Sequence, residues 1–290
     1  MKLRTKFNLV MIAVFLAGLT ISGFVSWQLL QQTARAQVLE NAGIMMGAAM
    51  SIRSYTVEQI RPLLEQTTST TFLPQTVPAF AATETFDALR TSYPEYGYKE
   101  ATLNPTNPRD RATDWEEDII QQFRNQPELG QLVGERDTGQ GRSLWLARPI
   151  RIKDPACLEC HDTAAAAPQT LVAKYGDANG FGWQLNETVG SQIVAVPMSL
   201  PLAKAQNTFG VFMLSLFAVF AALFLALNLV LGRMVIRPIV QISRVTDEVS
   251  MGNLSVPEFD ESGQDEIGTL QASFNRMRRS LERAMEMLQS

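Results

Sequence analysis

Both cysteines of this 290-residue chain and its single histidine fall within five consecutive positions, inside "PACLECHDT" at residues 155–163. The spacing Cys157-x-x-Cys160-His161 is the attachment signature of c-type haem. Two intervening residues let both sulfurs reach one porphyrin edge and add across its vinyl groups. The adjacent imidazole is then delivered to the iron as the proximal axial ligand. We therefore expect one covalent haem c, with Cys157 and Cys160 as thioether anchors and His161 on the metal. Three other chemistries use parts of the same motif. Zinc asks for four ligands, and the chain holds three cysteines and histidines in total, so Asp162 would have to serve as an odd fourth. A thioredoxin-like redox pair needs only the CxxC. A disulfide would close a very short loop and constrain the unfolded chain little.

With those three residues committed, the ligand opposite His161 would be a methionine, a lysine, a tyrosine, water or an open position. Met45, Met46 and Met50 cluster beside "IRSY" and are the sixth-ligand candidates, with Met198 as a further one. Methionine ligation would raise the reduction potential, whereas an open position would admit a gas. Methionines also fill gaps in cores. Arg53 is the candidate propionate contact, against the alternative of a solvated side chain, and Arg148 and Arg151 flank the motif in the same way. Tyr55, Tyr93, Tyr96 and Trp145 suit a haem wall and a core equally well.

The elements that must carry this motif begin with two uncharged apolar runs, residues 7–30 and 209–232. Each exceeds the ~20 residues an α-helix needs to cross the ~30 Å hydrocarbon layer. The first run is longer than the apolar region of a signal peptide, so we read it as an anchor; cleavage near "TARAQ" is the alternative. Lys2, Arg4 and Lys6 precede the first run, and Arg233 and Arg237 follow the second; Arg35 and Lys204 lie on the other flanks. The basic excess predicts both termini in the cytoplasm (1–6 and 233–290) and residues 31–208 outside it. In a bacterial cell that means a two-pass inner-membrane protein with a periplasmic domain. The net charge of −4 and a pI near 5.2, without a basic stripe, speak against a nucleic-acid partner.

Residues 31–66 read as a juxtamembrane helix with Met45, Ala48, Ile52, Tyr55 and Gln59 in one 3-4 series, disturbed at Pro62. A short helix is expected around 82–90, then a turn or strand. A further helix is expected after a Pro/Asn-rich loop, capped by Asp114. "RSLWLARPIRI" and "ETVGSQIVAVPMSL" alternate as strands. Strands interleaved with helices make this an α+β domain. After the second apolar run, Ile242, Val245 and Val249 share a helical face that Gly252 ends. Leu254 and Val256 are the buried-looking residues of the connector. A last helix opens at Asp265 and Glu266, whose charges suit the helix dipole. Its seam of Ile267, Leu270, Phe274, Met277, Leu281, Ala284 and Leu288 is that of a coiled coil.

Four runs, "YTVEQIRP", "SYPEYGYKEATLNPTNPRDRATDWE", "LWLARPIRIKDPACLECHDT" and "YGDANGFGWQLNETVGSQIVAVPM", occur in this order over residues 42–198. That stretch resembles the PAS-like periplasmic c-haem domains often fused to sensor proteins. The resemblance implies a PAS-like α/β sandwich holding one covalent haem. The tail, with "RPI", "GNLSVP" and "DEIGTL", resembles a HAMP linker, which implies a homodimer joined in a parallel four-helix coiled coil. We expect a membrane-bound haem-based sensor of redox state or a diatomic gas. No kinase, cyclase or methyl-accepting pattern is present, so output to a separate protein such as a histidine kinase is expected. A membrane-tethered c-type cytochrome in electron transfer is the alternative. No acid–base constellation suggests an enzyme.

Overall fold

The structure, a computed structural model, describes residues 3–68, 71–139 and 141–289, without the side chains of 65–68, 288 and 289. Lys2 of the basic flank and the Leu288 side chain of the seam lie outside the described residues. Contacts divide the chain into two units, Gln28–Thr208 and, separately, Met1–Trp27 with Phe209–Ser290.

The first unit is built on a four-stranded antiparallel sheet of β1 (Gly97–Thr102), β2 (Leu132–Thr138), β3 (Gly141–Arg151) and β4 (Thr188–Pro197), in the order β1-β4-β3-β2. Both strongly alternating segments are its two central strands. Alternation along them separates two cores, because successive side chains point to opposite faces. Leu144, Leu146, Val194 and Val196 meet Val38, Ala42, Met45, Met46 and Ala49 of α1 (Leu3–Tyr55) and Phe86 of α3 (Pro78–Arg90). Ala147 and Ile193, with Trp145 packed alongside, meet Ile119, Ile120 and Phe123 of α4 (Asp114–Asn125) on the other face. The buried stripe of α1 therefore runs 38-42-45-49. It shares Met45 with the expected series, but Ala48 and Tyr55 are exposed. Both series have 3-4 spacing, and the sheet covers the one that starts earlier.

The edge strand β2 and the short α6 (Gln169–Tyr175) are elements that sequence reading missed. "LVGERDT" carries three charges and exposes its last three residues, so it lacks the alternation of a half-buried strand. Its Gly134 lies under the Trp145 indole, where a Cβ would come within 2.3 Å of the ring. The cap of α4 is also corrected. Thr113 precedes the helix and its N–H donates to Glu116 Oε2 at 2.8 Å, a capping box, so Asp114 is the first helical residue rather than the cap.

Pro62 does not end the juxtamembrane helix. α1 passes through a π-helical turn, Thr56–Ile60, directly into α2 (Arg61–Thr68). Proline lacks an N–H, and its ring crowds the carbonyl four residues earlier. A widened turn accommodates both faults. The same solution recurs at Gly232–Ile236, between α7 (Ser199–Leu231) and α8 (Arg237–Ser250). Each π turn closes on the same tripeptide, Ile60-Arg61-Pro62 and Ile236-Arg237-Pro238.

Among the described residues, two helical stretches are long and apolar enough to cross a membrane, within Leu3–Leu64 and Ser199–Ser250. Phe15 stacks on Phe220 at 5.0 Å and Trp27 meets Phe209 edge-on at 5.3 Å. α8 and α9 (Glu266–Gln289) enclose Ile242, Val249, Val256, Phe259 and Phe274. Asp265 caps α9, its Oδ1 accepting from Gly268 N at 2.7 Å. Gly268 is needed there, because a Cβ would meet the Gly263 carbonyl oxygen at 2.1 Å. Of the seam, Phe274 is buried, whereas Leu270, Met277 and Leu281 are 44–48% exposed.

Met46 is fully buried against the sheet, so Met46→Ala should cost about 2–5 kcal/mol of stability. A denaturant titration of the purified protein checks this.

Candidate cofactor site

Asp154 starts the motif's local structure. Its Oδ1 accepts from Ala156 N at 2.9 Å, and Pro155 supplies a preset φ at the first position. A 3₁₀ turn, Pro155–Cys157, runs into the short α5, Leu158–His161. On a helical turn, residues three and four apart share a face. Cys157, Cys160 and His161 therefore present two thiols and an imidazole to the same side. The thiols are free, and among the described residues no three His, Cys, Asp or Glu side chains converge on a point where a metal ion could sit.

The imidazole is held on two sides. Its Nδ1 lies 2.7 Å from the Gly180 carbonyl oxygen, which can only accept, so Nδ1 carries the proton and Nε2 keeps its lone pair. The ring stacks on Trp183 with centroids 3.8 Å apart and planes 12° from parallel. The backbone ties the two segments together, since Trp183 N donates to His161 O (3.1 Å) and Gly182 N to Asp162 O (2.6 Å). Burial lowers the His161 pKa, partly opposed by the Gly180 carbonyl. Burial thus favours the neutral ring, the form in which a histidine ligates a metal.

Both thiols are pushed up from their ordinary range. For Cys157 burial and the nearby Asp154 act, opposed by the Arg53 guanidinium; for Cys160 burial acts, opposed by Arg61. A thioredoxin-type pair depends on a lowered thiol pKa, the opposite direction. Two free thiols on one face beside a neutral imidazole with Nε2 available form a donor set that fits a covalently held porphyrin iron. Cys157, Cys160 and His161 would hold it.

The other sequence candidates are placed as follows. Met45 and Met46 are buried in the core between α1 and the sheet, as is Met198, because the sheet side of α1 is their side. They are packing residues in this structure. Met50 is 41% exposed and lines a surface groove with Ser51, Ser54, Tyr55, Glu58 and Gln59. Arg53, expected at a propionate, instead donates from Nη1 to Glu100 Oε2 at 2.5 Å. Glu100 is buried and also accepts from the Tyr98 hydroxyl at 2.7 Å. Burial and that carboxylate drive the Tyr98 pKa far upward. A buried carboxylate needs such a partner, which explains why Arg53 turns to β1. Arg151 donates to Pro127 O and Thr188 Oγ1, tying β3 to its surroundings. Arg148 lies on β3, where its carbonyl accepts from Ser191 Oγ. Trp145 and Tyr96 pack with the two cores, while Tyr55 and Tyr93 are exposed.

Sequence reasoning missed the residues that orient His161. Asn104, in the β1–α4 loop, accepts on Oδ1 from Gly180 N (3.2 Å) and donates from Nδ2 to Phe181 O (3.2 Å). Arg111 donates to Asn179 Oδ1 in the same segment. Gly180 has φ +88° and lies so close to Thr106 that a Cβ would meet its Oγ1 at 2.0 Å, so only glycine fits. The available signal was "NGFGW" itself, two glycines and a tryptophan together in a loop.

A family model, Tll0287-like, matches residues 31–197, more than half of the chain, and a HAMP domain model matches residues 230–283. The heme sensor protein HssS of Staphylococcus epidermidis is 29% identical over 115 residues, covering 38% of this chain and 25% of that protein. The chain thus spans about a quarter of the length of this curated relative. Among solved structures, the cyanobacterial heme-protein Tll0287 aligns at 18% identity with a TM-score of 0.41, covering 55% of this chain and 94% of that one.

Asp110, at the end of the same β1–α4 loop turn, has its carboxyl pKa raised to about 6 by burial, opposed by Arg109. A group whose folded pKa exceeds its unfolded value of 3.8 stabilises fully below pH ~4, and that contribution is lost as pH rises through ~6. Asp110→Asn should therefore stabilise the fold at pH 7 by at most ~3 kcal/mol, read as a higher melting temperature, and flatten its dependence between pH 4 and 6. Melting curves across that range read the effect directly.

Proposed function

The chain belongs to the Tll0287-like family, and from that membership we propose that it is a membrane-bound haem sensor signalling through its HAMP domain to a separate cytoplasmic protein such as a histidine kinase. The observation that carries the reading is the orientation of His161. A neutral imidazole with Nδ1 engaged and Nε2 available sits four residues after one free thiol and one after the other, on one face of a capped turn. We assign one covalent haem c to this turn, on Cys157 and Cys160, with His161 as proximal ligand. Haem there would supply a one-electron couple and an axial position open to competition by a diatomic ligand. With Met45 and Met46 in the core, Met50 or no protein ligand at all is our reading of the opposite side. No catalytic residue is assigned.

The domain organisation supports a sensor over a tethered carrier. An anchor alone would need one apolar helix, whereas this chain has two and continues into α8 and α9. Leu270, Met277 and Leu281, half exposed along one stripe of α9, are what a second copy would cover, so we read the HAMP helices as a homodimer. The basic flanks support a bacterial inner-membrane protein with cytoplasmic termini and a periplasmic, PAS-like haem domain. The sensed variable on this reading is redox potential or a gas such as nitric oxide or carbon monoxide.

Two experiments test the reading. Cys157→Ala with Cys160→Ala should release all haem under denaturing conditions. His161→Ala should keep thioether-linked haem but lose its native ligation spectrum. A native spectrum surviving both would refute the site. Single cysteines at 270, 277 and 281 should cross-link between copies in membranes, with severalfold changes in yield between reduced and oxidised samples. Yields unchanged by redox poise, carbon monoxide and nitric oxide would sink the sensor reading and leave the membrane-tethered c-type cytochrome as the alternative.

A further inference from the structure

Resting on the haem reading above, we propose that Asn104 is a positioning residue that sets the orientation and basicity of His161 through the Gly180 carbonyl. A ligating histidine whose far nitrogen donates a strong hydrogen bond is a more basic ligand and favours the oxidised metal. Here the acceptor is a loop carbonyl rather than one fixed in a helix or sheet, so its position depends on what holds the loop.

Asn104 holds it from both sides of one peptide unit. Its oxygen takes the Gly180 N–H and its amide NH₂ gives to the Phe181 carbonyl, each at 3.2 Å. The two partners are a donor and an acceptor, which fixes the orientation of the amide without ambiguity. The Gly180 carbonyl lies between those two bonds along the backbone and points at His161 Nδ1, 2.7 Å away. Thr106, two residues after Asn104, fills the space against Gly180 that a Cβ would need, so the loop can be neither pushed in nor readily substituted. Asn104 itself contacts neither the imidazole nor the thiols. Its effect is transmitted through one carbonyl, and Trp183 stacking on the ring face leaves that carbonyl as the in-plane constraint.

The test uses the full-length holoprotein in detergent. Asn104→Leu keeps the volume and removes both bonds. Covalent haem should still be present, shown by a c-type haemochrome spectrum in alkaline pyridine. The reduction potential should rise by about one tenfold step in the ferrous-to-ferric ratio at fixed poise, ~59 mV for one electron. Because the chain has one histidine, ¹⁵N-histidine labelling reports on a single imidazole. In the diamagnetic ferrous carbonyl state, its Nδ1–H resonance should move upfield as the hydrogen bond weakens. Asn104→Asp keeps an acceptor for the Gly180 N–H and should lie between the wild type and Asn104→Leu in that resonance, which preserves the test if the leucine variant does not fold. An unchanged potential and an unchanged Nδ1–H resonance in a folded, haem-bearing variant would overturn the proposal and leave the haem reading intact. A wild-type protein with no c-type haemochrome would overturn both.

Discussion

A half-buried imidazole that keeps one nitrogen free must give the proton on the other to an acceptor, and in this chain the acceptor is the Gly180 carbonyl. Much of the domain is arranged around that requirement. The β1–α4 loop reaches across to hold Gly180, and the stretch before β4 returns beneath α5 to supply both the carbonyl and the Trp183 ring. The sheet places these segments near one another. β1 and β4 are hydrogen-bonded neighbours, so the loop leaving β1 and the loop entering β4 emerge at one end of the same strand pair. The positive φ at Gly180, under a threonine hydroxyl, costs glycine little, and both loops start from that fixed ladder.

How legible this was in the sequence differs by the length scale of the interaction. The thiols and His161 were readable because their relation is local, a matter of spacing within one turn. β3 and β4 were readable because a two-sided sheet imposes alternation on Leu144 to Ala147 and on Ile193 to Val196. β2 was not, since an edge strand needs only backbone pairing and tolerates Glu135, Arg136 and Asp137 in succession. Asn104 and Gly180 were the least readable. Their partnership spans 76 residues, and neither residue type announces it. The same limit hid the partner of Arg53, since Glu100 lies 47 residues away.

The HAMP helices illustrate a complementary point. Phe259 joins the core through a clamp of the same kind as that at Gly180. The buried Asn275 accepts from Phe259 N and donates to Phe259 O. In both units an asparagine side chain imitates a neighbouring strand, satisfying the N–H and C=O of an irregular segment that has no ladder of its own. Arg278, donating to the Val256 carbonyl, extends the same device along the connector. Connectors held in this way keep a defined path without regular secondary structure.

The repeated Ile-Arg-Pro π turns bear on angle rather than on distance. A π turn spans one more residue per hydrogen-bonded loop than an α turn, so residues beyond it arrive about 100° away from the azimuth an uninterrupted helix would give them. α8 therefore does not continue the facing of α7, and α2 does not continue that of α1. Each Ile-Arg-Pro acts as an angular offset written into the chain, aligning Ile242 and Val249 with α9 after one turn and re-aiming Arg61 after the other. Chain length at these two points is thus a rotational setting, and a single inserted or deleted residue there would turn one helical face away from its partner while leaving composition and hydropathy almost untouched.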